Sequence, residues 1–449
     1  MAEYKKKTVK KSAPPKVKKT GKKLDSFSTV KKDKEKKSKP AEVPMKPKKE
    51  RVKTETKAPK APRQRKKLKM PQLGGMRLLL GKKGEIKKKR VITLIITAVI
   101  ILSVIIFSVA TPTGPFEYIE NKVRTFGGED FPAALSGSEL YDGYASGSVI
   151  YTLSDTHAEI FSKSGKNILS RQHDFNSPVL STSSQRALVY DAGGKILYVY
   201  NYGDVVDEFT MKKEIYCADI SRNGTIAVAT KSDGYASEVQ VISKSGKVKF
   251  VWYSATEIVN NITLSNNGKR LAVSTVDTSG GNFKSKVYVF KYSKAKPIYE
   301  FTYEGSVVYS LNTLSSSRFS VVTDKTVDFI KWRGGSRVQH ENQYTLNLYR
   351  VCSGKNIAVL GNKSNNTVRV FNKKGEVTSE FEFLGAVTDI YYCDGRIFIL
   401  SDGYLYTLNK QGESVAEKVN FSGYSRIFAT DSNTVIAAGN FGFDEFNIK

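Results

Sequence analysis

Histidines, cysteines and paired carboxylates are the residues that could carry chemistry in this chain, and they are few. The 449 residues include His157, His173 and His340. No two of these sit at metal-ligand spacing, so a metal site would need distant loops to converge. Cys217, Cys352 and Cys393 are an odd set without a C-x-x-C, and an odd set cannot form a full disulfide framework. They read as free thiols packed as small apolar groups. Cys352 and Cys393 fall at equivalent repeat positions, too far apart for a disulfide. There is no G-x-S-x-G, no H-E-x-x-H and no complete phosphate-binding loop. Gly-Lys pairs recur, but no Ser or Thr follows the lysine, and they read as turns. Asp204, Asp207 and Glu208 are carboxylates near a turn, and sequence does not set their separation as an acid–base pair. The expectation is a binding protein, not an enzyme, with no catalytic residue, cofactor or metal.

The elements that would position any site are short alternating strands. "SKSGK" occurs at 162–166 and 243–247, and "NKKGE" at 372–376 is echoed by "NKQGE" at 409–413. Each follows an apolar-alternating run and precedes another, as in a hairpin whose glycine takes positive φ. Gly165, Gly203, Gly246, Lys294, Gly335, Gly375 and Gly412 mark seven such hairpins, spaced by 38, 43, 48, 41, 40 and 37 residues. A second hairpin family lies half a period away: "ISRNGTIAV" (220–228), "LSNNGKRLAV" (264–273), "LSSSRFSVV" (314–322), "CSGKNIAVL" (352–360) and "CDGRIFIL" (393–400). Two hairpins per roughly 40 residues make one four-stranded propeller blade. The fold expected is all-β, a single β-propeller over residues 138–449. Seven blades contain the marked hairpins. The terminal stretch adds three strands, so the count leans to eight, with the missing strand supplied from the N-terminal side.

Charge is confined to one end. The first 90 residues hold 35 Lys+Arg against 8 Asp+Glu, a net +27 of the chain's +29, so the remainder is almost neutral. A globally nucleic-acid-binding surface is thereby excluded. Residues 1–70 are rich in Lys and Pro and poor in large apolar residues, as in a disordered tail. Residues 71–90 form a basic juxtamembrane segment, with Lys82, Lys83, Lys87, Lys88, Lys89 and Arg90 suited to anionic lipid. Residues 91–110 contain no charge and no proline, and 20 helical residues span roughly 30 Å, the thickness of a bilayer core. The positive flank places the N-terminus in the cytoplasm and residues 111–449 outside. A signal peptide cleaved after Ala110 is the rival reading. Residues 111–137 form a stalk, with Phe116, Ile119, Val123 and Phe126 on one side of a short helix.

The stretch "SPVLSTSSQRALVYDAGGKILYVYN" (177–201), with Pro178, Arg186 and "LVYDAGG", lies in a repeat chain behind one N-terminal span. In this it resembles an uncharacterised bacterial, Clostridia-like family of membrane-anchored β-propellers, a domain of unknown function. The resemblance implies the anchor-plus-propeller layout over residues 85–449 and brings no activity. More distantly, the blades are similar to quinoprotein-like and WD-type repeats, although the Trp-Asp dipeptide is absent.

Binding surfaces follow from loop length. The middle connection of a blade is short in "YDAGG" (190–194) and "SDG" (401–403) but longer in "KSDGYASE" (231–238) and "DTSGGNFKSK" (277–286). The two long ones belong to consecutive blades and one face. Tyr235, Asn282 and Phe283 at their tips are the expected partner-binding residues, since loop aromatics anchor interfaces. The expected function is a single-pass membrane protein presenting an extracytoplasmic propeller to a protein or envelope polymer. Its tail would contact anionic lipid or nucleic acid. The alternatives are a propeller enzyme, either quinoprotein-like dehydrogenase or glycan hydrolase, and a membrane tether for nucleic acid.

Overall fold

The computed structural model describes residues 88–110, 119, 122–128, 131–146, 149–183, 186–201, 204–341, 346–352, 356–362, 366–440 and 442–448. Most of the basic N-terminal segment, including Lys82, Lys83 and Lys87, lies outside them.

Among the described residues, thirty-two strands form eight four-stranded antiparallel sheets. Each is a blade. Blades 1 to 7 occupy residues 140–172, 178–210, 215–254, 258–304, 308–341, 346–383 and 387–420, each in simple chain order. Blade 8 combines Tyr424–Ala429, Thr434–Gly439 and Gly442–Asn447 with Ala133–Ala134 from the other end of the fold. Ala133 and Ala134 pair with Phe443 and Gly442, and this seam closes the ring. The expectation of an eighth blade completed from the N-terminal side is met. Its closing strand falls within the 111–137 segment.

The marked hairpins join the third and fourth strands of their blades. Gly165, Gly246, Gly335, Gly375 and Gly412 all have φ between 64° and 89°, a region that L side chains avoid. Gly203 lies outside the described residues. The half-period hairpins join first and second strands. Second strands such as Arg186–Asp191 and Ile226–Thr230 are buried at every position because both faces of a blade pack on neighbours. Leu188, Leu197 and Phe209 of blade 2, for example, share a core with Ile215, Ile226 and Val228 of blade 3.

A helix, Lys88–Ala110, covers 23 residues. Thr97 Oγ1 and Ser103 Oγ donate to the carbonyls of Thr93 and Ile100, each at 2.8 Å, so the hydroxyls are satisfied within the helix. Its side chains are described over 93–104, which rise about 18 Å. Among the described residues no helix is long and apolar enough to cross a membrane.

Candidate functional site

The long connections of blades 3 and 4 join the second and third strands, so they open on one face of the ring. Tyr235 is 50% exposed and Phe283 is 56% exposed, and Asn282 is exposed beside it. Each loop is tied to the connection leaving its own blade. Ala236 N–H donates to Ser254 O at 2.9 Å, and Gly305 N–H donates to Phe283 O at 2.8 Å. Tyr235 packs on Tyr253, with ring centroids 4.8 Å apart. Among the described residues no ring contact joins Tyr235 to Phe283.

Glu257 fixes the junction between these blades. It lies on the connection from blade 3 to blade 4 and is almost fully buried. Its carboxylate accepts from Thr275 Oγ1 at 2.6 Å and Tyr288 OH at 2.9 Å, and Lys286 Nζ lies 2.8 Å away. Burial works against the charge, but these three donors outweigh it and hold the carboxyl below its usual range. The Glu257 hydrogen bond raises Lys286, and burial pushes Tyr288 up to about 12. Neither group is poised as a base near neutral pH. The cluster braces the loops, and sequence reasoning missed it because Glu257 stands in an ordinary turn.

A second polar cluster lies on the innermost strands. Arg350 of blade 6 places Nε 3.4 Å from Asp389 of blade 7 and Nη1 3.8 Å from Asp142 of blade 1. Blades 7 and 8 stand between those ends, so Arg350 braces the inner ring. Burial opposes its charge, but Asp389 and Asp142 win and its pKa is raised. A groove of about 490 Å³ lies between two turns of blade 3, lined by Asn223, Thr225, Ser243, Lys244, Ser245 and Lys249, without a carboxylate or histidine.

A family's sequence profile, described as "Family of unknown function (DUF5711)", matches residues 134–445. The chain belongs to the DUF5711 family. No curated protein matches it in sequence. Three solved structures similar to this DUF5711 chain share little sequence with it. BamB from Moraxella catarrhalis is 13% identical with a TM-score of 0.45, covering 70% of this chain and 98% of that one. The Cps50 (Swd1) β-propeller domain from Myceliophteria thermophila is 12% identical with a TM-score of 0.46, covering 60% and 96%. A eukaryotic initiation factor is 12% identical with a TM-score of 0.47, covering 73% and 92%.

The chemistry-bearing residues of the DUF5711 domain are dispersed. His157 Nδ1 lies 3.0 Å from Thr156 Oγ1. His173 stacks on Phe175, and burial lowers its pKa. His340 Nε2 meets Gly375 O at 2.6 Å. Among the described residues no three His, Cys, Asp or Glu groups could hold a metal. Cys217, Cys352 and Cys393 are buried and not joined in disulfides, and burial pushes the Cys352 thiol up to about 12. Asp207 and Glu208 alternate on the outermost strand of blade 2, and Glu208 is bound to Arg171 at 3.2 Å. Of the basic residues expected at lipid, Lys88, Lys89 and Arg90 begin the helix.

Proposed function

We propose that this DUF5711 protein is a single-span membrane protein that displays its propeller outside the cell as a binding scaffold, not an enzyme. The helix Lys88–Ala110 would cross the bilayer, a reading supported by its charge-free stretch 91–110 and the basic residues preceding it. Lys82, Lys83, Lys87, Lys88, Lys89 and Arg90 then meet anionic lipid on the cytoplasmic side. The partner is an extracytoplasmic protein or envelope polymer. One observation carries the binding surface: two enlarged connections of adjacent blades expose Tyr235 and Phe283 on one face. Aromatic anchors of this kind dominate interface energetics.

The test is cross-linking of intact cells with a membrane-impermeant reagent, followed by isolation of the tagged full chain from membranes. The wild type should be recovered with a discrete cross-linked partner. The Tyr235→Ala/Phe283→Ala chain should lose about tenfold of that product, which corresponds to ~1.4 kcal/mol. Reaction only after lysis would overturn the outward placement, and equal recovery with the double variant would overturn the loop surface.

A further inference from the structure

The outermost strand of blade 3 breaks a rule that blades 1, 2, 4, 5 and 6 keep. Register aligns Val251, opposite Gln240, with Ser170, Glu208, Glu300, Gln339 and Glu380 in blades 1, 2, 4, 5 and 6. Tyr253 aligns likewise with Gln172, Thr210, Thr302, Glu341 and Glu382. Every counterpart is polar or charged. An unpaired edge strand offers free N–H and C=O groups to any other strand, and outward charges normally guard it. Val248–Ser254 carries instead Val251 and Tyr253, exposed by 40% and 45%, with Tyr235 extending the strip through its stacked ring. Its one charge, Lys249, sits at a bulge, leaving a regular ladder from Phe250 to Ser254.

We infer that this edge pairs with the same edge of a second copy of the chain. An antiparallel two-fold pairing about Trp252 sets Val251 opposite Tyr253 of the other copy, twice over. Such aromatic–β-branched cross-strand pairs are favourable. It also keeps the two lysines at opposite ends. Pairing with another blade's outer strand would instead press carboxylates such as Glu208, Glu300 or Glu380 against Val251 and Tyr253, a desolvation cost with no compensating partner. The contact is small, so the dimer is weak and exchanging. This inference does not depend on the loop surface or on the side of the membrane.

The test uses the full chain in detergent. Because the native cysteines are buried, Val251→Cys introduces the one accessible thiol among the described residues. A short bismaleimide should convert it to covalent dimer about tenfold more efficiently than Glu380→Cys, the same register position on blade 6. Val251→Glu restores the residue type other blades carry, so it should fold, and it should weaken self-association in sedimentation about tenfold. Equal cross-linking of the two cysteine variants overturns the inference. So does unchanged sedimentation of Val251→Glu. A chain that stays monomeric at every concentration does the same and leaves the edge to a different extended segment.

Discussion

Single aspartates stitch the inner ring. Asp219 of blade 3 is partly buried; its carboxyl accepts from Ser181 Oγ of blade 2 at 2.7 Å and from Leu264 N–H of blade 4 at 2.7 Å. Asp389 likewise joins blade 7 to Ile427 N–H of blade 8 at 2.9 Å. Burial is the largest influence on Asp219 and raises its pKa against those donors. Since the folded value lies above the unfolded one, the folded state holds the proton more tightly. The stability from that proton is fully present below the unfolded pKa, about 3.9, and is lost as pH rises through the folded value. Asn has the same shape, can accept from Leu264 and can donate to Ser181. Asp219→Asn should therefore lower stability at pH 7 by no more than about 1 kcal/mol, whereas Asp219→Ala strands the buried Leu264 N–H and frees the Ser181 hydroxyl and should cost about 2 kcal/mol. Thermal melts of the full chain from pH 4 to 7 should be flatter for the Asn variant. Equal damage from Asn and Ala would show that the ionised carboxylate is required. Nothing in "IYCADI" reveals this role, because both partners come from other blades.

The hairpin is the element that made the fold readable. Its glycine is required locally, so it recurs at the blade period, and strand alternation around it is equally local. What stayed hidden is how each hairpin docks. A Cβ added at Gly335 would fall 2.7 Å from the Tyr299 ring of blade 4, one at Gly375 2.7 Å from Phe329 of blade 5, and one at Gly412 2.6 Å from Phe381 of blade 6. The glycines thus serve both the turn and a seat for the preceding blade's aromatic ring. The loop tips were legible by length, but the Glu257 brace was not, since its three donors, Thr275, Lys286 and Tyr288, come from two strands of blade 4 that only folding brings together. Docking and turn strain can be separated. Gly193 has φ 88° and open space, while Gly375 has φ 89° and Phe329 beneath it. Gly193→Ala should cost about 1 kcal/mol from backbone strain alone. Gly375→Ala should cost about 1–3 kcal/mol more from overpacking. Equal melting temperatures for the two variants would mean that the ring seat contributes nothing.

At the scale of the propeller, each of the eight blades packs mainly on its neighbours, with Arg350 of blade 6 reaching Asp142 of blade 1 across the inner ring, and the arrangement has a single seam. Packing mainly on neighbours makes stability nearly additive along the ring, so the weakest junction opens first. The described seam is slight in backbone terms, since the two residues Ala133 and Ala134 supply the whole fourth strand of blade 8. Side chains reinforce it. Phe443 is 1% exposed and meets Phe131 edge-on at 5.8 Å and Phe161 of blade 1 at 4.6 Å. Asn440 Oδ1 accepts from Leu140 N–H at 3.3 Å across the same junction. Phe443 therefore binds both the closing strand and the first blade to the last. Phe443→Ala should cost about 3–5 kcal/mol, as for other buried aromatic truncations. The distribution of that loss is the sharper expectation. Hydrogen exchange should accelerate in residues 133–134, 140–172 and 424–447, while blades 3 to 5 keep wild-type protection. If exchange rises evenly around the ring, the propeller opens as one unit and closure at Phe443 is not its weak point. If it rises only at 133–134, the terminal strand is an accessory and blade 8 holds itself against blades 7 and 1 without it.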